Sequence, residues 1–480
     1  MTTAEIEPVQ RVYGIESELG YAAQPESLGK DYLNLAQNFP GKLAVLNMFY
    51  SNGAKFYPDV GDHMEYATPE CQTIGELVGA TVGGEELLTD LVTDLGNQEK
   101  DPISVWLNTR IIADRPPKGG DPGEPCRPIW GSHENYLTLR NLDISKLVDN
   151  FVAHSVTRYL LVGAGWVDFE GQSDKPKFNI SQRASRLSDI EGASTTQKSK
   201  PIFNTRDEAL AHRGKYRRLH VINGDPTMSP WATAVRIGSM SLLLRMNEHP
   251  GFDLSDLTLE DPLATAQIVS EDLSFSRPVM RKNGKTILPI ELQVELASRA
   301  KNLTESVNVP KEELILVDEW LEAAMDLEQA KDWRVLTDRS DYAAKARILQ
   351  KYWDLSTKDE EEREVRRKKI KQADHLWGEL SDAGLARKWR SCGAFRDPLG
   401  AMDQADYYKF NPPKGRADIR ARFIATMANR MATDTVSVDW HILKVKNKEF
   451  KLHEPLASVP VWVPRINDWL TGKADQRIPY

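Results

Sequence analysis

Apolar and polar positions alternate with period 2 through much of the first half of the chain and take up helical spacing in the second. Val12–Tyr21 reads as a strand, with Glu16 and Glu18 on one face and Ile15, Ser17 and Leu19 on the other. Further strands are predicted at Ile103–Ile112, Gly131–Leu137, Lys177–Ala184 and Lys215–Gly224, the last placing Arg217 and Arg218 on opposite faces. Residues 22–50 form a short connection with a weak helical pattern at Tyr32, Leu33, Leu35 and Phe39. Thr73-Ile74-Gly75-Glu76 has the form of a capping box. The helix behind it carries Leu77, Val78, Val82, Leu87, Leu88, Leu91, Val92 and Leu95, and is weakened by Gly79, Gly83 and Gly84. A second helix, Asp143–Leu161, buries Leu147, Phe151, Val152, Val156 and Leu160, and a third starts at Ser229 with proline at its first position. Leu254 to Asp354 is mainly helical, and the mixed-charge run Lys358–Lys371 reads as a solvated helix face. Arg115–Pro128, rich in Pro and Gly, is a loop, either a lid or a surface insertion, and Asn204–Glu208 is a turn. After a linker at Asn411–Gly415 come a helix, Ala417–Met431, and a strand, Thr435–Val445. The order implies an α+β fold with a mainly antiparallel sheet flanked by helices. It also implies a large domain over residues 1–405 and a small C-terminal domain over 406–480.

One stretch breaks the pattern. Gly53–Glu70 packs Lys55, Tyr57, Asp59, Asp62, His63, Glu65 and Glu70 between the breakers Gly53, Pro58, Gly61 and Pro69. Such a run is a solvated loop or a site. Phe56, Val60, Met64 and Ala67 are interleaved with the polar residues, which makes part of it a half-buried strand, and the Glu16/Glu18 pair is a second carboxylate cluster. That pair is a solvent-facing edge or a cation site, since the two carboxylates stand about 7 Å apart on one strand face.

Composition narrows the chemistry. With 480 residues, 40% hydrophobic and 28% charged, the chain is an ordinary globular protein large enough for more than one domain. A net charge of -8 argues against general nucleic-acid binding. Cys71, Cys126 and Cys392 are odd in number and widely spaced, as in reduced cytoplasmic proteins, and lack zinc spacing. The N-terminal residues show no signal core, and no apolar run is long enough to span a membrane. Walker, GxGxxG and GxSxG motifs are absent. Carboxylates spread over several strands suit Mg²⁺ or Mn²⁺ and, through them, phosphate. Arg206, Arg217 and Arg218 suit phosphates or carboxylates. Together these residue types point to an ATP-dependent phosphoryl or acyl-phosphate reaction, with Asp59, lying between the apparent metal ligands, placed to act as a general base.

GIESELGY, GAKFYPDVGDHMEYATPEC, GSHENYL, SQRA, NTRDE, KYRRLHVINGD and VDWHILK occur in order between residues 11 and 445. They resemble the Pup ligase family (proteasome accessory factor A) and its paralogue, the Pup deamidase and depupylase. The resemblance implies a glutamine-synthetase-like fold of the carboxylate-amine ligase group. It implies that Mg-ATP phosphorylates the γ-carboxylate of the C-terminal glutamate of Pup, a small ubiquitin-like protein, and that a target lysine then attacks. By the same resemblance, metal ligands fall on Glu16, Tyr57 and Glu65, the catalytic aspartate on Asp59, and ATP contacts on Lys55, Thr68 and Trp440. Glu18 matches a further family glutamate. If Trp440 touches ATP, the small domain closes one side of the nucleotide pocket. The chain departs from the family pattern in several places. Lys55 stands where arginine is usual, NTRDEALAH replaces NTRDEPHAD, loop 115–128 is longer, and residues 355–410 match poorly. About 33 residues, 20 to 52, separate the first two motifs, where the depupylase carries a long insertion, so the ligase is the closer relative. A depupylase, a non-catalytic Pup-binding scaffold and a small-molecule amide ligase of the same fold are the alternatives.

Overall fold

The computed structural model describes residues 10–22, 43–59, 63–99, 104–107, 131–168, 176–193, 199–249, 252–353, 359–428 and 435–457. The weak helix expected within 22–50 and the loop 115–128 fall mostly or wholly outside them. So do Asp62, Cys126 and the far part of the strand expected at Ile103–Ile112.

The strands, in chain order, are β1 (Tyr13–Ala22), β2 (Val45–Leu46), β3 (Phe49–Tyr50), β4 (Lys55–Asp59), β5 (His63–Ala67), β6 (Ser104–Trp106), β7 (Ser132–Leu139), β8 (Trp166–Asp168), β9 (Lys177–Asn179), β10 (Asp189–Gly192), β11 (Pro201–Asn204), β12 (Tyr216–Gly224), β13 (Val279–Met280), β14 (Thr286–Ile287), β15 (Val436–Val438), β16 (Ile442–Val445) and β17 (Lys448–Lys451). The main sheet runs β10-β11-β12-β7-β1-β5-β4-β3-β2, with β6 beside β1. Its pairs are antiparallel except β10–β11, which is parallel.

One face of this sheet is the floor of the core. Tyr13, Ile15, Tyr136, Leu219 and Val221 are buried against the helices Pro230–Glu248 and Ile144–Thr157. The Pro230–Glu248 helix is buried over nearly its whole length and starts as the sequence predicts, with Ser229 Oγ accepting from the Ala232 amide. The Thr73–Glu76 capping box forms in both directions and opens the helix Ile74–Glu99. Gly79, Gly83 and Gly84 allow other chain segments to approach that helix. A Cβ on Gly83 would lie 2.6 Å from the Ala405 carbonyl, and one on Gly84 would strike the Tyr66 ring.

Two helices form as expected, and two strands are corrected by tertiary context. The Asp143–Leu161 helix is present as Ile144–Thr157 and Tyr159–Val162, with Arg158 between them still at helical φ and ψ and its guanidinium paired with buried Glu134. Lys177–Ala184 is a strand only to Asn179, and its end is held in a loop by Asp225. The helix expected over Ala417–Met431 is Arg416–Met427, and the expected last residues, from 429, lie outside the described residues. Thr435–Val445 is two strands, β15 and β16, joined by a turn over Asp439–His441.

Leu46 and Phe49 of the sheet edge form one apolar cluster with Ile419, Phe423, Ile424, Met427, Val438, Leu443 and Val445. Asn47 and Met48 both have positive φ, as a two-residue hairpin turn requires. Asn47 Oδ1 then accepts from the Val438 amide. Gly53, at φ 88°, fits where a Cβ would lie 3.2 Å from Ala417 Cβ. Tyr408, by contrast, belongs to the main core cluster.

Candidate active site on the open sheet face

Register brings the polar residues of five strands to one face. Tyr57 pairs with Glu65, Glu65 with Glu18, Glu16 with His133, and Asn135 with His220. Lys55 and Asp59 share the Tyr57 face because side chains alternate. The intervening residues Glu134, Tyr136 and Ile15 point into the core. Glu134 is satisfied there by Arg158 at 2.6 and 2.9 Å.

On the open face Glu16 accepts from Asn135 Nδ2 at 3.2 Å and from Arg218 Nη1 at 3.3 Å. Its Oε2 lies 3.4 Å from His133 Nδ1 and 3.3 Å from His220 Nε2. Burial disfavours the Glu16 anion, but His220, His133 and Arg218 outweigh it and hold the carboxyl well below its usual range. Burial pushes the His220 imidazole down to about 4, so its ring is neutral near pH 7. Neither His220 nitrogen makes a well-formed hydrogen bond. Glu65 behaves oppositely: burial, then the nearby Glu16 charge, raise it well above the ordinary glutamate value. The Tyr57 hydroxyl donates to Glu65 Oε1. Burial and the same carboxylates drive its pKa far upward, so it stays a neutral phenol.

This donor set fits divalent cations. Glu16, His133 and His220 offer ligand atoms within 4.8 Å of one another, and so do Glu18, Glu65 and His133. The carboxylates are hard donors suited to Mg²⁺ or Mn²⁺, and the two imidazoles add nitrogen donors that softer transition metals also accept. The raised Glu65 marks an excess of buried negative charge that a cation would relieve. Of the three ligands expected from sequence, Glu16 and Glu65 lie within these groups, and Tyr57 reaches them through its bond to Glu65. His133, His220 and Asn135 had not been singled out. The signal for them was available in the alternation of GSHENYL and KYRRLHVING.

The nucleotide-side residues gather at the Glu16 end. Lys55 Nζ lies 4.9 Å from the Phe49 ring and 4.6 Å from the Tyr57 ring. Burial lowers the Lys55 pKa, and Asp439 and Glu65 oppose that shift. Trp440 packs edge-on to Phe49 at 4.9 Å, with the Arg420 guanidinium 4.9 Å from its ring. Thr68 Oγ1 accepts from the Ile15 amide, which fixes it between β1 and β5. Its own hydroxyl proton is left to donate. Arg218, also bonded to Asn135 and Glu208, borders the same end. Arg217 turns away toward the Leu142 carbonyl, and Arg206 lies by Glu208. Asp59 ends β4 opposite His63 and is partly exposed. Glu70 serves structure: Arg416 Nη2 at 2.7 Å and Arg420 clamp it, and they hold its carboxyl near 2 although burial acts to raise it.

A twisted sheet presenting carboxylates, imidazoles and cationic side chains beside a small capping sheet defines a glutamine-synthetase-like carboxylate-amine ligase fold. A bifunctional glutathione synthetase from Pasteurella multocida shares it at a TM-score of 0.50 and 11% identity, over 92% of this chain and 58% of that one. The family model described as Pup-ligase protein matches residues 7–444, and the chain belongs to that family. It is 30% identical to the Pup–protein ligase of Acidimicrobium ferrooxidans over 472 residues, 95% of this chain and 98% of the relative. Against the Pup–protein ligase of Mycolicibacterium smegmatis the identity is also 30%, covering 95% and 99%. The structure of the Pup ligase PafA in complex with ADP superposes with a TM-score of 0.73 at 25% identity, covering 94% and 95%. The complex between Pup and its ligase PafA gives 0.79 at 24% identity, covering 97% and 93%. No helix among the described residues is long and apolar enough to cross a membrane.

Proposed function

We propose that this chain is an ATP-dependent ligase that joins the γ-carboxylate of the C-terminal glutamate of a Pup-like modifier to a lysine ε-amine of a target protein. The observation that carries the reading is the single sheet face on which Glu16, Glu18, Glu65, His133 and His220 converge, flanked by Lys55 and Trp440. Family membership supplies the substrate class.

Glu16, Tyr57 and Glu65, with Glu18, His133 and His220 around them, are the residues for Mg²⁺. When bound, the cations neutralise phosphate oxygens and the charge of the transferring phosphoryl group. Lys55, Thr68 and Trp440 hold the nucleotide at the Glu16 end, and the small domain, from about residue 406 onward, forms that wall of its pocket. A γ-carboxylate oxygen attacks the terminal phosphorus and ADP leaves, giving a γ-glutamyl phosphate. The lysine nitrogen then attacks the acyl carbon, inorganic phosphate departs, and Asp59 takes the ammonium proton. A carboxylate is a poor acyl donor in water, and its phosphate is a good one. The use of ATP and the reduced-thiol pattern support a cytoplasmic location for the reaction.

The test uses Mg-ATP, a lysine-bearing acceptor and Pup ending in glutamate or in glutamine, followed by intact mass and ADP release. Conjugate plus ADP from the glutamate form supports the ligase. Conversion of the glutamine form to glutamate without net ATP use would make the chain a deamidase, and silence with both forms would overturn the Pup reading.

A further inference from the structure

Arg183 lies in the loop after β9, and its backbone is firmly held. Asp225 accepts from the Arg183 amide at 3.1 Å through Oδ1 and from the Gln182 amide at 3.1 Å through Oδ2. Ser181 Oγ accepts from Arg183 and Ala184. The residue is only 5% exposed, yet among the described residues its guanidinium has no hydrogen bond or ion pair. Its guanidinium lies beside Gly131. A Cβ built there would lie 2.8 Å from Arg183 Nη1 and 2.5 Å from His133 Nε2. The Gly131 amide itself donates to Glu18. An unpaired, largely buried guanidinium therefore borders the cation face at its Glu18 end.

The Arg183 nitrogens keep what solvent contact the residue has, so an anion can reach them, and a planar fork of donors matches a carboxylate. The opposite, Glu16 end carries Lys55 and Trp440, and its arginine, Arg218, is already engaged by Glu16, Glu208 and Asn135. The two ends thus divide the work. The γ-carboxylate of a glutamate must meet the cations to receive a phosphoryl group. The α-carboxylate of the same residue lies about 5 Å away in an extended side chain. We propose that Arg183 binds the α-carboxylate of the modifier's terminal glutamate and so selects a free chain end. This rests on the ligase reading and names the part of the substrate that the Glu18 end recognises.

The experiment is a fluorescence-anisotropy titration of labelled Pup ending in glutamate, with its α-carboxyl either free or converted to a carboxamide. Both forms keep the γ-carboxylate. Wild type is expected to prefer the free acid by roughly 10- to 100-fold, the range of a charge-assisted bidentate pair. Arg183→Met is expected to bind both forms alike, and Arg183→Lys to discriminate to an intermediate degree. Unchanged Mg-ATP binding by the variants excludes a folding defect, which discrimination between two ligands would not report. Wild-type discrimination in a folded Arg183→Met overturns the assignment, as does equal binding of both forms by wild type. Binding of neither form by wild type overturns the Pup reading and this inference with it.

Discussion

Replacing Glu70 with Gln removes one charge and almost no volume. Glu70 accepts from Arg416 Nε at 2.8 Å and Nη2 at 2.7 Å, and from Arg420 Nη1 at 3.0 Å. Arg420 also donates to the Gly53 carbonyl at 2.8 Å and to the Trp440 carbonyl at 3.1 Å. One carboxylate therefore ties the β3–β4 turn, the Arg416–Met427 helix and the Trp440 turn together. Its fall from an ordinary 4.5 to about 2 corresponds to about 3 kcal/mol of preference for the charged form. That agrees with the roughly 3–5 kcal/mol cost of stripping a partner from a buried ion pair. Because the folded value is depressed, this stability is present above the unfolded value near 4.5. It is lost as pH falls from there through about 2. Glu70→Gln should lower unfolding free energy in urea by about 3 kcal/mol near neutral pH, and the difference from wild type should vanish toward pH 2. If Trp440 lines the nucleotide pocket, ATP affinity measured by calorimetry should fall as well. A variant within about 0.5 kcal/mol of wild type at neutral pH would refute the clamp.

Other changes separate chemistry from structure. Asp59→Asn should fold and bind Mg-ATP normally but conjugate roughly 10²- to 10⁴-fold more slowly, as read in a single-turnover gel assay. Wild-type rates there would remove Asp59 as the base. Glu16→Gln should weaken Mg-ATP binding at least about tenfold by calorimetry, because the anion shared by Asn135, Arg218 and two imidazoles is gone. Equal affinity would take Glu16 out of the cation site. Glu134→Gln, on the buried face of β7, should cost about 3–5 kcal/mol of stability by leaving Arg158 and Arg236 without their anion. A thermal midpoint equal to wild type would show that the pair is not needed.

The sequence by itself determined the local pieces. Period-2 alternation put Glu16 with Glu18, and Lys55 with Tyr57 and Asp59, on common strand faces, because that spacing follows from the backbone alone. Ser229-Pro230 and Thr73–Glu76 fixed helix starts for equally local reasons. The family motifs pointed to the ligase class and to the residues that the sheet then brought together. What the tertiary structure decided is everything that depends on pairing across strands distant in the chain. His133 and His220 join Glu16 only because β7 lies between β1 and β12, a register no local pattern encodes. β9 ends at Asn179, where buried Asp225 accepts from the Gln182 and Arg183 amides, because satisfying a buried charge outweighs strand propensity. Trp440 reaches Phe49 because the strand expected over 435–445 turns at Asp439, which shields apolar residues of both sheets in one cluster. The division between Glu70 as clamp and Glu65 as site residue, two carboxylates five positions apart, was settled by which of them met arginine.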